Sequence, residues 1–442
     1  MVRIAFYTLG CKVNQYESEA LSSRFSQEGF TVVPPSEDAE VYVVNSCTVT
    51  SGGDKKTRQI LRRFKREHPG AVIALTGCFP QAFPDAAEKL PEADVITGSY
   101  NRAALVDSVK SALSTGDRVI NITPHKQGES FERMRAPRFS EHTRAFVKIE
   151  DGCDRYCSYC IIPTARGPIR SKSLEDLQEE LAALADNGYK EVVLVGINLS
   201  SYGKGTDLRL ADAVELACSV PGIERVRLGS LEPELLTDED MDRFAAQDKF
   251  CPQFHLSLQS GSASTLKRMN RHYTPEEYLD IVSRLRARFA NASMTTDIMV
   301  GFPGETLEEF EESVSFAEQV GFAKVHVFAY SRRSGTRADR MDGQIPQREK
   351  ERRSAEMIRR TDQTRLAFLH SQVGRTEEVL LETQVSPGEY EGYTKNYTPC
   401  LVQTPQTAGE SDSVDLCGQI KYVTITGVSD GRCTAVLADA KS

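Results

Sequence analysis

The chain has 442 residues, 40% of them hydrophobic and 26% charged, a composition that excludes a disordered or fibrous protein. At roughly 100–200 residues per domain, its length predicts about three domains. A net charge of −9 does not advertise a general nucleic-acid binder, and no apolar run reaches the roughly 18 residues needed to cross a bilayer.

The opening MVRIAFYTLGCK reads as a strand and not as a signal segment, so a cytoplasmic protein with reduced thiols and no membrane contact is expected. Over residues 1–118, short β-rich runs (Ile4 to Thr8, Val41 to Asn45, Val72 to Thr76, Asp94 to Thr97) alternate with helical patterns. That alternation predicts βαβ units in a Rossmann-like parallel sheet, hence an α/β class. Residues 119–140 are polar and aperiodic, with Pro124 and Pro137, and read as a linker.

From 141 to 370 the alternation resumes, with strands predicted at Phe146–Glu150, Val192–Ile197, Arg225–Ser230, Phe254–Gln259, Thr295–Val300 and Val325–Tyr330. Six βα repeats predict a partial (β/α)6 barrel, since eight units are needed to close one of this kind. A charged helix, Gln347 to Ser371, carries Met357, Ile358, Leu366 and Leu369 at apolar positions that should pack on the barrel. Residues 371–440 change to short strands near Glu378–Glu382, Glu391–Thr394, Pro399–Val402, Ile420–Thr426 and Ala435–Leu437, which predicts a small all-β, OB-like five-stranded barrel.

Charge is unevenly spread: residues 1–120 hold 14 basic and 14 acidic side chains, whereas 371–442 hold 5 and 10. Lys55, Lys56, Arg58, Arg62, Arg63, Lys65 and Arg66 fall within twelve residues, either a solvated helix face or a surface for phosphates.

Cysteine spacing carries the chemistry. Asp151-Gly152-Cys153-Asp154-Arg155-Tyr156-Cys157-Ser158-Tyr159-Cys160 sets three thiols at x3 and x2 intervals just after the first predicted barrel strand. Three thiolates in one loop can hold three irons of a cubane and leave the fourth open, whereas a four-cysteine electron-transfer cluster needs another thiolate. Structural zinc is the competing reading; it usually takes four ligands in two pairs, and neither a second CxxC nor a suitably spaced histidine follows. Cys11, Cys47 and Cys78 are far apart in sequence, yet each falls just past a predicted parallel strand, in TLGCK, VNSCT and LTGCF. Such strand ends converge on the ligand crevice of an open α/β sheet, and Gly10, Gly52, Gly53 and Gly77 allow close backbone approach. The three therefore predict a second three-thiolate site in preference to three unrelated buried cysteines. Cys218, Cys251, Cys400, Cys417 and Cys433 are read as packing residues.

A cofactor on the open iron needs polar groups at the ends of the other barrel strands. The sequence supplies Gly196 and Asn198, Ser230 and Glu232, then His255, Ser257 and Gln259, then Asp297, followed by Gly301-Phe302-Pro303-Gly304-Glu305. A lone His255 would be a satisfied core histidine; recurrence after successive strands predicts a pocket.

TLGCKVNQYESE, NSCTVT, TGC, DGCDRYCSYCIIPTARG, HLSLQSGS and TTDIMVGFPGET together resemble, over nearly the whole chain, the radical S-adenosylmethionine (SAM) methylthiotransferases. The resemblance implies a three-domain enzyme that inserts sulfur into a C–H bond and methylates it, using SAM and two 4Fe–4S clusters. It implies Cys153, Cys157 and Cys160 as ligands of the SAM-cleaving cluster, and Cys11, Cys47 and Cys78 as ligands of an auxiliary cluster. The terminal barrel resembles a TRAM domain, an RNA-binding module. TLGCKVNQYE is most similar to the branch acting on N6-threonylcarbamoyladenosine beside the anticodon of tRNA. The isopentenyladenosine branch has a GCQMN-type start, and the branch acting on a ribosomal protein aspartate a GCPKN-type one. Thr164 and Pro168 depart from the aromatic and charged residues common in the family.

The implied chemistry is one-electron cleavage of iron-chelated SAM, hydrogen abstraction from C2 of the adenine, and transfer of sulfur that a second SAM methylates. The implied partners of a monomeric enzyme are tRNA, an electron donor such as flavodoxin or ferredoxin, and a sulfur source. On this reading Tyr159, Gly196, Asn198, Ser230, Glu232, His255, Ser257, Gln259 and Asp297 serve the cofactor, while Lys55, Arg58, Arg62, Arg66 and Arg271 serve RNA; by position Arg271 is also a candidate for SAM. A non-catalytic RNA-binding scaffold would leave six cysteines idle.

Overall fold

A computed structural model describes residues 1–139, 143–404 and 415–438. The last residue of the expected linker, residues 141–142 of the expected barrel, and residues 405–414 and 439–440 of the expected terminal barrel lie outside the described residues.

The amino-terminal part is a six-stranded parallel sheet in the order Thr31–Val33, Arg3–Thr8, Val41–Ser46, Val72–Gly77, Val95–Thr97, Val119–Asn121. Val41–Ser46 is buried at every position, as a parallel strand covered on both faces must be. Tyr42 and Val44 pack with Ile60, Leu61 and Phe64 of helix Ser51–Glu67, while Val41 and Val43 pack with Leu21, Phe25, Leu105 and Val109 of the helices behind. Two strands were not legible in the sequence pattern: Thr31–Val33 and Val119–Asn121 are short, largely exposed edge strands without a buried face to read.

Val119–Asn121 corrects the start of the expected linker, since it completes the sheet by pairing with Val95–Thr97. Residues 122–139 form a strap more than a tether. Ala136 and Phe139 enter the barrel core, Glu132 binds Arg102, and Glu129 binds Arg170 at 2.8 Å. The polar residues that make it look like a linker are consumed by buried cations.

Seven parallel strand segments, from six βα repeats, form the partial barrel in two sheets: Arg225–Leu228, Glu191–Val195, Arg144–Lys148, and Ser230–Leu231, Gln253–Leu256, Ser293–Val300, Lys324–Ala329. The expected strand Arg225–Ser230 is broken at Gly229, and a bridge between Val226 and Phe250 joins the two sheets. The charged helix spans Gln347–Ser371 and packs on Lys324–Ala329. Met357 is buried in the core of this barrel as expected, but Leu369 is buried in the core of the terminal barrel, and Ile358 and Leu366 are each 45% exposed. A narrow contact stripe cannot take adjacent positions set 100° apart.

The terminal segment is a closed five-stranded barrel of Thr376–Ser386, Glu389–Thr394, Pro399–Gln403, Arg432–Leu437 and Ile420–Ser429. Its 394–398 turn meets the entry end of the larger barrel, where Arg227 donates to the Lys395 carbonyl at 2.9 Å and Ser293 binds the Asn396 carbonyl at 2.5 Å. Among the described residues no helix is long and apolar enough to cross a membrane.

Candidate active site

Cys11 directly precedes helix Lys12–Gln27, Cys47 directly follows Val41–Ser46, and Cys78 opens helix Cys78–Ala82. Arg3–Thr8 and Val41–Ser46 are neighbours whose connections run to opposite sides, the switch point at which an open α/β sheet leaves a crevice. Gly10, at φ +118°, is needed there: a Cβ would sit 2.9 Å from the Cys47 Cβ. One polar bridge connects two of the thiols. Cys11 donates to Asn14 Oδ1 at 3.5 Å, Arg166 Nη2 donates to the same oxygen at 2.9 Å, and Arg166 Nε donates to Cys78 Sγ at 3.1 Å. Burial pushes the Cys78 thiol up to about 12 against the pull of Arg166, and the nearby Cys47 and Cys11 add to the rise.

The second set lies in the loop between Glu150–Asp151 and Arg170–Ser171, which pair antiparallel. Gly152 closes this loop at φ +91°, where a Cβ would meet the Pro168 carbonyl oxygen at 2.0 Å. The loop is pinned from outside: Ser158 N–H donates to the Met269 carbonyl (2.9 Å) and its Oγ to the Arg268 carbonyl (2.8 Å), and Ala338 N–H donates to Ser158 O (2.7 Å). Burial pushes Cys160 up to about 12, with Cys157 adding, and raises Cys153 further.

All eleven cysteines are free thiols. Among the described residues no three ligating side chains converge as a single ion would require, whereas a cubane takes one thiolate per iron and is ringed by its ligands. Cys78 is buried, Cys47, Cys153, Cys157 and Cys160 are partly exposed and Cys11 is exposed; three free thiols per site fit such a cluster, with one iron left for another ligand. The fit to SAM rests on orphaned acceptors. Asn198 Oδ1 and Glu150 Oε1 are buried without a hydrogen-bond partner, although Asn198 N–H donates to Glu150 Oε2 at 2.6 Å. Burial holds the Glu150 carboxyl well above its usual range. These groups suit a ligand that brings its own donors, as an amino-acid moiety does.

The expected cofactor residues fall into two groups. Gly196, Ser230, His255 and Asp297 line a cavity of about 560 Å³ inside the barrel, and Cys11 forms part of the same wall. His255 bonds Thr295 Oγ1 at 3.0 Å and faces Asp297 at 3.4 Å. Glu232 and Ser257 are instead tied to the cysteine loop through Arg271, which donates to Glu232 Oε1 (3.1 Å), the Ser257 carbonyl (3.2 Å) and Cys157 Sγ (3.3 Å). Gln259 is held at φ +66° with its N–H donating to the Asp297 carbonyl at 2.8 Å. Tyr159 packs edge-on against Phe302 at 6.3 Å.

Arg271 is therefore corrected as an RNA contact. Its side chain is 4% exposed and committed to Glu232 and the cysteine loop, so its charge is spent inside the protein. Sequence reasoning also missed Asn14, Glu150 and Arg166, each of which has a partner 31 to 152 positions away along the chain.

The basic helix Ser51–Glu67 follows Cys47 as expected. Lys55 is exposed, Arg58 lies over the Phe79 ring at 5.3 Å, and Arg62 and Arg66 pair with Glu92 and Glu67, each at 3.1 Å. Exposed pairs of this kind are worth about 0–1 kcal/mol, so they leave the cations free to exchange partners. Changing Arg58, Arg62 and Arg66 together to Ala is expected to weaken tRNA binding and flatten its salt dependence by about 0.7–0.9 in log–log slope for each phosphate no longer engaged. Affinity across a salt series checks this, and an unaltered slope would assign the helix to solvent.

Two family profiles match the chain: the Radical SAM superfamily over residues 147–317 and the uncharacterized protein family UPF0004 over residues 3–98. The threonylcarbamoyladenosine tRNA methylthiotransferase MtaB of Bacillus subtilis is 37% identical over 403 residues, covering 90% of this chain and 89% of its own. A tRNA-2-methylthio-N(6)-dimethylallyladenosine synthase of Pelotomaculum thermopropionicum is 34% identical, covering 99% and 98%. Among solved structures, the radical SAM methyltransferase TsrM of Kitasatospora setae shares the fold at a TM-score of 0.56 and 15% identity, covering 77% of this chain and 74% of its own. With cysteine triads, partial barrel and near-full-length relatives in agreement, the chain belongs to the radical SAM tRNA methylthiotransferases, enzymes that use SAM and two 4Fe–4S clusters.

Proposed function

We propose that this protein converts N6-threonylcarbamoyladenosine beside the anticodon of tRNA to its 2-methylthio derivative. The observation that carries the reading is the barrel cavity whose wall includes Cys11 of one thiol set together with His255 and Asp297 of the barrel strands. Sulfur insertion needs a sulfur carrier and a radical source to face one substrate; the cavity brings Cys11 of the first thiol set against strands of the same barrel that carries the 153–160 loop, although that loop is not part of its wall. The threonylcarbamoyl branch is supported by the higher identity of the relative named for it, 37% against 34%.

On this reading Cys153, Cys157 and Cys160 hold the SAM-cleaving cluster, and Cys11, Cys47 and Cys78 hold the auxiliary one. When bound, the two clusters and SAM supply radical C–H activation, sulfur and the methyl group. The chain's own part is positional. Arg271 fixes the cysteine loop against Glu232 and the Ser257 carbonyl, and Asn198 and Glu150 offer buried acceptors to the amino group of SAM. Arg166 fastens Cys78 to the loop that carries the other thiols.

The domains are then 1–121 for the auxiliary cluster, the sheet strand Val119–Asn121 included, 122–140 as connector, 141–370 as radical SAM core and 371–440 as an RNA-binding TRAM module. Flavodoxin or ferredoxin as electron donor, a separate sulfur source, a monomeric state and a cytoplasmic location complete the proposal. Anaerobically reconstituted protein given SAM, reductant and sulfide should methylthiolate a tRNA bearing N6-threonylcarbamoyladenosine and leave one bearing N6-isopentenyladenosine unchanged. The reverse preference would move the enzyme to the dimethylallyl branch.

A further inference from the structure

The cavity holds more positive charge than its own carboxylates neutralise. Its charged and titratable lining is Lys12, Lys324, His255, His326, Asp297, Tyr397 and the Cys11 thiol. Asp297 is engaged by His255 at 3.4 Å. Among the described residues, neither the Lys12 nor the Lys324 ammonium forms an ion pair or hydrogen bond with the protein. Lys12 lies over the Phe146 ring at 5.9 Å, and its charged neighbours are Arg144, Arg227 and Glu191. Deeper in the wall, charge is matched: Arg144 and Arg227 pair with Glu191 at 4.0 and 2.9 Å, and Arg144 pairs again with Glu382 at 2.6 Å.

The two lysines come from different parts of the chain. Lys12 begins the helix behind Cys11, and Lys324 begins the last barrel strand, whose alternate residues His326 and Phe328 share the same cavity. A volume of about 560 Å³ lies within the roughly 300–1,000 Å³ of small-molecule sites. It accommodates a purine with a substituent, swung out of the RNA stack as chemistry on a base requires. A threonylcarbamoyl group carries a carboxylate and a hydroxyl; a dimethylallyl group is wholly apolar and would leave both ammoniums without a partner.

We propose that Lys12 and Lys324 are the specificity-determining counter-ions for the carboxylate of the threonylcarbamoyl substituent. The inference rests on the function proposed above and adds how the site tells that base from an apolar one. A site that pairs a charged group discriminates against substrates lacking it, because the ion pair is lost and its own charges, here the exposed Lys12 and the half-buried Lys324, keep no partner in the cavity.

The test uses an anticodon stem-loop carrying N6-threonylcarbamoyladenosine and the same RNA with the carboxylate blocked as its methyl ester. Wild-type reconstituted enzyme should show kcat/KM lower by about 10- to 100-fold on the ester, the worth of a charged hydrogen bond, mainly through KM. Lys324→Met should lose that preference, falling to the ester's level on the natural RNA with the ester little changed. Lys12→Met should do the same, with iron content measured because Cys11 is adjacent; Lys324→Met, distant in sequence from every cluster cysteine, keeps the test valid if Lys12→Met loses iron. Full retention of the acid-over-ester preference in Lys324→Met, with wild type active on the natural RNA, would overturn the inference and leave the function standing. Inactivity of wild type on the threonylcarbamoyl RNA, with activity on the isopentenyl one, would overturn both.

Discussion

Replacing Cys153, Cys157 and Cys160 together by Ala should remove about half of the iron bound by anaerobically reconstituted protein and abolish SAM cleavage. Two cubanes with three thiolates each predict about eight irons in wild type. Replacing Cys11, Cys47 and Cys78 should also halve the iron, yet leave SAM cleavage measurable, because those thiols belong to the sheet's crevice and not to the barrel loop. Iron analysis together with quantification of 5′-deoxyadenosine separates the two sets. Full iron after the second replacement would eliminate the auxiliary site.

Glu17→Ala is expected to be among the most destabilising single changes in the chain. Its carboxylate is 2% exposed and contacts Arg102 at 2.7 Å, Lys148 at 2.7 Å and Arg166. These cations come from the turn before helix Ala104–Thr115 of the amino-terminal part, a barrel strand and the cysteine loop, so one acid joins the two parts that hold the thiol sets. Removing one member of a buried charge network leaves the others uncompensated, at a cost of about 3–5 kcal/mol. Despite the desolvation of burial, which opposes it, the cations lower the Glu17 carboxyl from 4.5 to about 2. A depressed folded-state value contributes stability that is present above the unfolded value and lost as pH falls from about 4.5 towards 2. The stability gap between wild type and Glu17→Gln, measured by denaturant unfolding, should therefore narrow across that acid range. A gap constant from pH 5 to about 2.5 would contradict the assignment.

What could be read in the sequence was whatever is carried by local spacing or strand order. The x3 and x2 thiols, the three strand-end cysteines and the six βα repeats fall in this class, as does the terminal barrel with its alternating short strands. Features that depend on distant partners could not be read. Nothing near MNRHY marks Arg271 as buried, since its burial is made possible by Glu232 and Cys157. The same holds for Arg166, whose partners Asn14, Glu17 and Cys78 belong to another part of the chain. Residues 119–139 read as a linker because polar residues are ordinarily exposed, whereas Glu129 and Glu132 face buried arginines. The unpaired charge of Lys12 and Lys324 became visible only once one cavity contained them both.

The central claim is tested most directly by mass spectrometry of nucleosides from tRNA of a strain lacking this gene. The strain should lose 2-methylthio-N6-threonylcarbamoyladenosine and accumulate N6-threonylcarbamoyladenosine, with the wild-type pattern restored by the intact gene and not by one encoding Ala at Cys11, Cys47 and Cys78. Unchanged threonylcarbamoyl nucleosides, with loss of the methylthio group from the isopentenyl derivative or from a ribosomal protein, would contradict it.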